Sequence, residues 1–171
     1  MSEPKRKLRS GLDDVTVRLA GENDSAAIAD VLFAAFSQFE HEYTPESFAV
    51  VTPSVDEIAT RFAEGPLWVA ERDGKMTGTV SVRTEPEGVY IRSMAVHPEA
   101  QGIGIGHNLL DSVDEYFGSS QQDRIFLYTT YFVPGAKELY EKHGFRWVRD
   151  TAADEWYGTP GLEMEKYVTR S

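Results

Sequence analysis

Residues 101–106 read Gln-Gly-Ile-Gly-Ile-Gly, and their three glycines fall where a strand gives way to a helix. Before them, residues 89–96 have the composition of a β-strand that ends at His97-Pro98, because proline cannot donate to a ladder. After them, apolar residues recur at intervals of three and four, which predicts an amphipathic helix over residues 104–117. A glycine turn between a strand and a helix therefore organises the centre of this chain.

This turn has the physical properties of an anion site. The first turn of a helix leaves up to four amide groups without carbonyl partners, and the helix dipole adds roughly half a positive charge there. Glycine has no Cβ, so the backbone at Gly102, Gly104 and Gly106 can approach phosphate oxygens closely. A glycine-rich connector without a ligand explains an isolated triplet equally well, and the turn alone leaves both interpretations open.

Spacing separates the known phosphate-binding motifs. A Walker-A loop needs Gly-Lys followed by Ser or Thr, whereas Gly106 is followed by His107 and Asn108. The dinucleotide fingerprint Gly-x-Gly-x-x-Gly is not met, because the third glycine comes one residue early and the turn lies past the middle of the chain. Nucleotide hydrolysis is disfavoured, and a NAD-dependent enzyme is kept as a weaker alternative.

The remaining sequence predicts one mixed α/β domain over residues 15–171, preceded by a flexible basic tail over residues 1–14. Periodicity gives the order β α α β β β α β α β β, with a hairpin at Asp73-Gly74. Antiparallel strands followed by a β-α-β unit imply a mixed, mostly antiparallel twisted sheet with helices on both faces. Residues 39–52 lack a clear period and are predicted to be irregular. The predicted strands are 15–19, 67–72, 76–83, 89–96, 125–130, 145–149 and 162–168.

Composition excludes several classes of function. Seventeen basic and twenty-eight acidic side chains give a net charge of −11, the wrong sign for a general nucleic-acid binder. Cysteine is absent, which excludes disulfides, thiolate metal sites and a cysteine nucleophile. His41 stands between two glutamates without a second histidine at helical spacing, so no metal site is predicted. The longest apolar run, residues 31–36, is too short to cross a bilayer, and a soluble, cytoplasmic protein without membrane partners is expected.

Three segments of the chain carry more information together than any of them alone. They are Met94-Ala95-Val96-His97-Pro98, Gln101-Gly102-Ile103-Gly104-Ile105-Gly106 and Leu139-Tyr140-Glu141-Lys142-His143-Gly144-Phe145. Over residues 15–168 the chain resembles the GNAT superfamily of acetyl-CoA-dependent N-acetyltransferases. The family pattern Gln/Arg-x-x-Gly-x-Gly/Ala is met by Gln101, Gly104 and Gly106, and the ending Tyr-x-x-x-Gly-Phe is met by Tyr140, Gly144 and Phe145.

The resemblance implies a GNAT-like acyl-CoA N-acyltransferase fold with a V-shaped split between strands 89–96 and 125–130. The pantetheine arm of acetyl-CoA, the implied cosubstrate, would enter this split without any metal. Backbone groups of Met94, Ala95 and Val96 would pair with the arm. The pyrophosphate would be held near His107 by amides of Gln101, Gly102, Ile103, Gly104, Ile105 and Gly106. Tyr140 matches the general acid of the family, although a helical tyrosine is also a common packing residue.

The sequence departs from the family in three places. Ile103 and Ile105 are apolar where many members carry a basic residue, and the residues left as substitutes are Lys137, Lys142 and Arg146. Val133-Pro134 stands where many members start a helix with Asn. Strand 89–96 contains no acid, so the usual general base is missing. The acids left open for that role are Glu40, Glu42, Glu85, Glu87, Asp154 and Glu155.

The predicted function is transfer of an acetyl group from acetyl-CoA to a primary amine of a small molecule or protein. Without cysteine, the amine would attack the thioester directly in a ternary complex. A non-catalytic acyl-CoA-binding sensor is the alternative. The acidic surface and the Glu-rich residues 40–46 favour a cationic acceptor, whose pocket is expected in residues 39–52 and 151–161. Strand 162–168 is expected at a sheet edge, where it could pair in a homodimer.

Overall fold

A computed structural model describes residues 14–168 and the backbone of the short strand Arg6–Lys7. The strands are β1 (Arg6–Lys7), β2 (Val15–Leu19), β3 (Leu67–Arg72), β4 (Lys75–Glu85), β5 (Gly88–Val96), β6 (Arg124–Thr129), β7 (Arg146–Thr151) and β8 (Gly161–Tyr167). The helices are α1 (Ser25–Phe36), α2 (Pro45–Val51), α3 (Val55–Arg61), α4 (Ile105–Gly118) and α5 (Ala136–Lys142). The mixed α/β class predicted from the sequence is confirmed.

The strands form one sheet in the order β1-β2-β3-β4-β5-β6-β8-β7. Every neighbouring pair is antiparallel except β5 and β6, which run parallel. These two strands pair only through Val89 with Ile125 and Tyr90 with Phe126, although β5 continues to Val96. The sheet is therefore split beyond Tyr90, as the resemblance implied.

Helices cover both faces of the sheet. Two apolar clusters on opposite sides of it show this arrangement. On one face, α4 buries Ile105, Leu109 and Val113 against the central strands. On the other face, α1 buries Ile28 and Leu32 with a contribution from α3. The spacing of three and four residues in both helices produces these buried faces. In the part of the chain that the structure describes, no helix is both long and apolar enough to cross a bilayer.

The prediction of an irregular segment over residues 39–52 is wrong. A 3-10 helix spans Ser37–Glu42, and α2 follows at Pro45–Val51. Thr44 caps α2, since its hydroxyl accepts a hydrogen bond from the Ser47 amide at 3.1 Å, and Pro45 suits the first helical position. Two turns of helix are too short for the apolar period to stand out from the aromatic residues around it.

The prediction of an edge strand at residues 162–168 is also wrong. β8 lies between β6 and β7, so its backbone is paired on both sides. Among the described strands, the outer positions belong to β1 and β7. Pairing of two copies through β8 is therefore blocked in this fold.

Only part of the predicted basic tail can be compared with the structure. Residues 1–5 and 8–13 lie outside the described residues, as do residues 169–171. The backbone of Arg6 and Lys7 pairs antiparallel with Val17 and Thr16 of β2. The flexible tail over residues 1–14 stays a prediction.

Gly88 fixes the closed end of the split, and replacing it should destabilise the protein. A Cβ at Gly88 would lie 2.3 Å from the Arg124 carbonyl oxygen, and its φ of +140° disfavours other residues. We expect Gly88→Ala to lower the free energy of unfolding by about 2 to 4 kcal/mol in urea titrations. Gly118→Ala is the matched control, because a Cβ there meets nothing within 4 Å. Equal stabilities of the two variants would contradict this account of the junction.

Candidate active site

Two cavities adjoin the carboxyl-terminal half of β5. The turn cavity, of about 550 Å³, runs along the glycine turn, and the arginine cavity, of about 930 Å³, contains Arg61, Arg83, Arg92 and Arg124 in its wall. Five residues line both of them, namely Phe36, Met94, Val133, Ala136 and Tyr140. The two cavities therefore meet at Tyr140 and the bend of β5.

The turn cavity collects nearly every residue for which the sequence predicted cofactor binding. Met94, Ala95 and Val96 form its β5 wall, and Gln101, Gly102, Gly104, Ile105, Gly106 and His107 continue along the turn. The side-chain amide of Gln101 donates to the Val96 carbonyl at 3.2 Å, which fixes the end of β5 against the turn. Ile103 differs from the others, because its side chain packs against the main core instead of lining the cavity.

The start of α4 presents unpaired amides to this cavity. Gly104 precedes the helix with a φ of +93°, a left-handed conformation that favours glycine. The amides of Ile105, Gly106 and His107 donate no hydrogen bond to any described residue. Three amides and the positive end of the helix dipole thus face the same space.

Gly106 serves packing in addition to any contact with a ligand. A Cβ at this position would lie 3.0 Å from Leu139 Cδ2 and 3.2 Å from Met94 Cε. The absent side chain therefore lets α4 approach α5 and β5. The sequence interpretation attributed this glycine to phosphate approach alone and could not detect the packing contact.

The sequence analysis left Lys137, Lys142 and Arg146 as cations that could replace the basic residue missing from the turn. One of these three lies at the turn cavity. Lys142 contributes to its wall, beside His107. Lys137 instead pairs with Glu141 at 3.4 Å, and Arg146 pairs with Glu165 at 2.7 Å. Lys142 is the member of that set with the position to contact a bound anion.

Tyr140 projects from α5 into the junction of the two cavities. Its side chain is 8% exposed, and its ring packs edge-on against Phe145 with 5.8 Å between ring centroids. No described residue forms a hydrogen bond with its hydroxyl. Burial raises the pKa of Tyr140, and nearby Tyr90 shifts it in the same direction. The hydroxyl is therefore protonated at neutral pH and free to donate.

An ion-pair network holds α5 in place. Asp114 of α4 accepts from Lys166 at 2.8 Å and lies 2.7 Å from the Nε2 atom of His143, the residue that follows α5. Asp111, Asp114 and His143 are close enough together to group around an ion. Because Lys166 already neutralises Asp114, this cluster is better explained as a tie between α4, α5 and β8.

Part of the wall of the arginine cavity comes from two segments for which the sequence showed no pattern. Val50 and Val51 of α2 contribute one side, and the loop at 154–157 contributes another. A hydroxyl clasp joins these segments. In this clasp the Thr44 hydroxyl donates to the Tyr157 carbonyl at 2.5 Å, and the hydroxyls of Ser47 and Thr159 are 2.7 Å apart.

Comparison with known proteins identifies the family. The model of the acetyltransferase (GNAT) family matches residues 28–145, more than half of the chain. The chain belongs to the GNAT acetyltransferase family. No curated protein sequence matches it.

Solved structures share the fold of this GNAT chain at low sequence identity. The PaiA N-acetyltransferase from Thermoplasma acidophilum, in complex with coenzyme A, has a TM-score of 0.72 at 18% identity and covers 90% of this chain and 99% of its own. YncA from Salmonella typhimurium, with its cofactor acetyl-CoA, has a TM-score of 0.72 at 20% identity, with 92% and 96% covered. The ribosomal-protein-S18-alanine N-acetyltransferase from Escherichia coli has a TM-score of 0.67 at 15% identity, with 92% and 96% covered.

The acids left open as general bases divide into two groups in this GNAT fold. Glu85, Glu87, Asp154 and Glu155 line the arginine cavity, whereas Glu40 and Glu42 do not. Glu85 pairs with Arg83 at 2.6 Å and Glu155 pairs with Arg149 at 2.7 Å. Glu163 of β8 also lines the cavity, and the sequence analysis missed it because charged residues in a terminal strand usually face solvent.

Two arginines of this GNAT site were also missed. Arg61 ends α3, and Arg92 precedes a bulge at which Ser93 takes a φ of +52°. Arg61 Nη1 donates to the Ser93 hydroxyl at 2.6 Å, and Arg92 pairs with Glu64. Burial lowers the pKa of Arg61 to about 10, and the charge of Arg92 contributes to this shift. No sequence pattern links residues 61 and 92, since only the tertiary fold brings them together.

Proposed function

We propose that this chain, as a single acetyltransferase domain over residues 15–171, transfers the acetyl group of acetyl-CoA to a primary amine by direct attack in a ternary complex. The observation that carries this proposal is the meeting of two cavities at the free hydroxyl of Tyr140. One cavity has the amides that suit a pyrophosphate, and the other has room for an acceptor.

The turn cavity is the proposed site of acetyl-CoA. The amides of Ile105, Gly106 and His107 would hold the pyrophosphate, with Lys142 as the nearby cation. The pantetheine arm would pair with the backbone of residues 94–96 as an added strand, where β6 has diverged. The PaiA and YncA structures, which share this fold, contain coenzyme A and acetyl-CoA, and this supports acetyl-CoA as the ligand of this chain.

The reaction places Tyr140 beside the leaving sulfur. A neutral amine attacks the thioester carbonyl carbon, the C–N bond forms, and the C–S bond breaks. The Tyr140 hydroxyl donates its proton to the departing thiolate, and the proton released by the amine returns to the tyrosinate through water or a cavity carboxylate, which restores the phenol. Burial raises the pKa of the Tyr140 phenol and weakens it as an acid. A thiolate formed at the same buried junction would be a stronger base for the same reason, which offsets this loss.

An acetyl-CoA consumption assay over a panel of amines tests the proposal. Release of free coenzyme A thiol that depends on the amine is the expected result. Absence of release with every amine, combined with tight binding of acetyl-CoA, would favour the non-catalytic sensor. A rise in thermal midpoint with NAD instead of acetyl-CoA would favour the NAD-dependent alternative.

The pH profile of the reaction follows from the raised pKa of Tyr140. The neutral amine reacts, so kcat/KM should rise with pH up to the pKa of the acceptor. Because the tyrosine must be protonated, activity is lost only above its folded-state pKa, which lies above the usual value of about 10. We expect no alkaline decline below about pH 10 in thiol-release rates. A decline near pH 9, with an unchanged circular dichroism spectrum, would contradict the assignment of Tyr140.

A further inference from the structure

The arginine cavity contains one positive charge that the described residues do not neutralise. Three of its four arginines have carboxylate partners, in the pairs Arg83–Glu85, Arg92–Glu64 and Arg124–Glu163. Arg61 forms no ion pair with any described residue, and its hydrogen bond goes to the neutral Ser93 hydroxyl. A guanidinium withdrawn from water without an anion costs free energy that a bound anion would recover.

The acids nearest to Arg61 are already engaged. The carboxylate of Glu57 accepts from the Ser54 amide at 3.1 Å, where it completes the cap of α3. Glu64 is shared between Arg92 and Arg83. Arg61 nevertheless stays charged at neutral pH, because its lowered pKa of about 10 is still well above 7.

Arg92 also has a buried donor without a hydrogen-bond partner. Its Nη2 atom pairs with Glu64, but its Nε atom is buried and has no hydrogen-bond partner. Arg61 and Arg92 line the same cavity and carry like charges that disfavour each other. The Nε atom is closed to a ligand, so the donors available to carboxylate or phosphate oxygens are those of Arg61 that do not bond Ser93, with Arg92 as a neighbouring cation.

The position of Arg61 relates this charge to the reaction. Arg61 contacts Ser93, and the next residue, Met94, lines both cavities together with Tyr140. We infer that the acceptor is an amine that also carries a carboxylate, phosphonate or phosphate, and that Arg61, with Arg92 as the neighbouring cation, binds this anion. The inference rests on the proposed acetyl transfer. Five carboxylates also line this cavity, so the inference depends on Arg61, which has no carboxylate partner among the described residues. It differs from the cationic acceptor expected from net charge.

A purely structural role for Arg61 makes a different prediction. A cation in the last turn of α3 interacts favourably with the helix dipole, and its bond to Ser93 holds the bulge. In that case, removal of the guanidinium would lower stability and affect all acceptors equally. Selectivity among acceptors distinguishes the two roles.

Matched amines test the anion site directly. The purified full chain is assayed by thiol release with an α-amino acid, its carboxamide and the amine that lacks the carboxyl group. We expect Arg61→Gln to lower kcat/KM for the amino acid by roughly 10- to 100-fold, and to change it by less than about threefold for the neutral compounds. Comparing variant with wild type for each compound cancels differences in amine pKa. An aminoalkylphosphonate in the same panel shows whether the site prefers planar or tetrahedral anions.

Arg146→Gln is the control outside both cavities. Arg146 pairs with Glu165 at 2.7 Å and lines neither cavity, so this variant should keep the preference for the anionic amine. An equal loss on all three compounds in Arg61→Gln, or no preference in the wild type, would overturn the inference.

The anion site can be tested even if acetyl transfer fails. Should the wild type acetylate no amine, the proposed function falls, and calorimetry measures binding of the same three compounds to the protein loaded with coenzyme A. Selective binding of the amino acid that is lost in Arg61→Gln would support the site. Absence of selective binding would refute it.

Discussion

Replacement of Tyr140 by phenylalanine should lower kcat by roughly 10²- to 10⁴-fold, the range lost when a positioned general acid is removed. The affinity for acetyl-CoA should change by less than about twofold, because the proposed role of the hydroxyl is proton transfer and not binding of the pyrophosphate. Stability should also be nearly unchanged. The hydroxyl has no hydrogen-bond partner among the described residues, so its removal leaves no buried polar group without a partner.

Single-turnover thiol release and calorimetry with acetyl-CoA check this expectation. Tyr116→Phe is the matched control, since Tyr116 lies on α4, contacts Thr84 at 3.4 Å and lines neither cavity. Full activity of Tyr140→Phe would show that the tyrosine only packs against its neighbours. A wild type without turnover would make the sensor the better interpretation.

Substitution of Gly104 by valine should weaken acetyl-CoA binding by roughly 10- to 100-fold, the loss expected for one or two hydrogen bonds to a charged group. Gly104 holds a φ of +93°, which a β-branched residue adopts only under strain. The first turn of α4 would shift, and its amides would no longer converge on the pyrophosphate.

Calorimetry on the folded variant measures this loss. Gly21→Val is the matched control, because Gly21 has a φ of −119° and open space around its Cβ position. Gly106→Val should behave differently and fail through folding, since its side chain would collide with Leu139 and Met94. Undiminished affinity in a folded Gly104→Val variant would remove the basis for placing coenzyme A at this turn.

Local chemistry explains which parts of the fold were predictable. The Asp73-Gly74 hairpin, the cap at Ser54 and the helix after the glycine turn depend on neighbouring residues, and all three are confirmed. The order of the last strands was not predictable in the same way. β8 enters the sheet between β6 and β7, and no residue within it distinguishes an inner from an outer position.

The candidate site was predictable on one side only. One wall of the turn cavity is formed by residues 94–107, which are close together in the sequence, so a motif could reveal that wall. The arginine cavity brings α3, the β5 bulge and the 154–157 loop together from distant parts of the chain. Arg61 and Arg92 have ordinary neighbours in the sequence, and the unpaired charge of Arg61 beside Arg92 exists only once the chain has folded.

The hydroxyl clasp between α2 and the following loop has a consequence for engineering. Neither segment that it joins belongs to the two apolar clusters that stabilise the sheet. Val50, Val51 and Asp154, which line the arginine cavity and take no part in the clasp, can therefore be randomised in a library while the clasp and the sheet stay intact. Selection from such a library would change one wall of the pocket proposed for the acceptor.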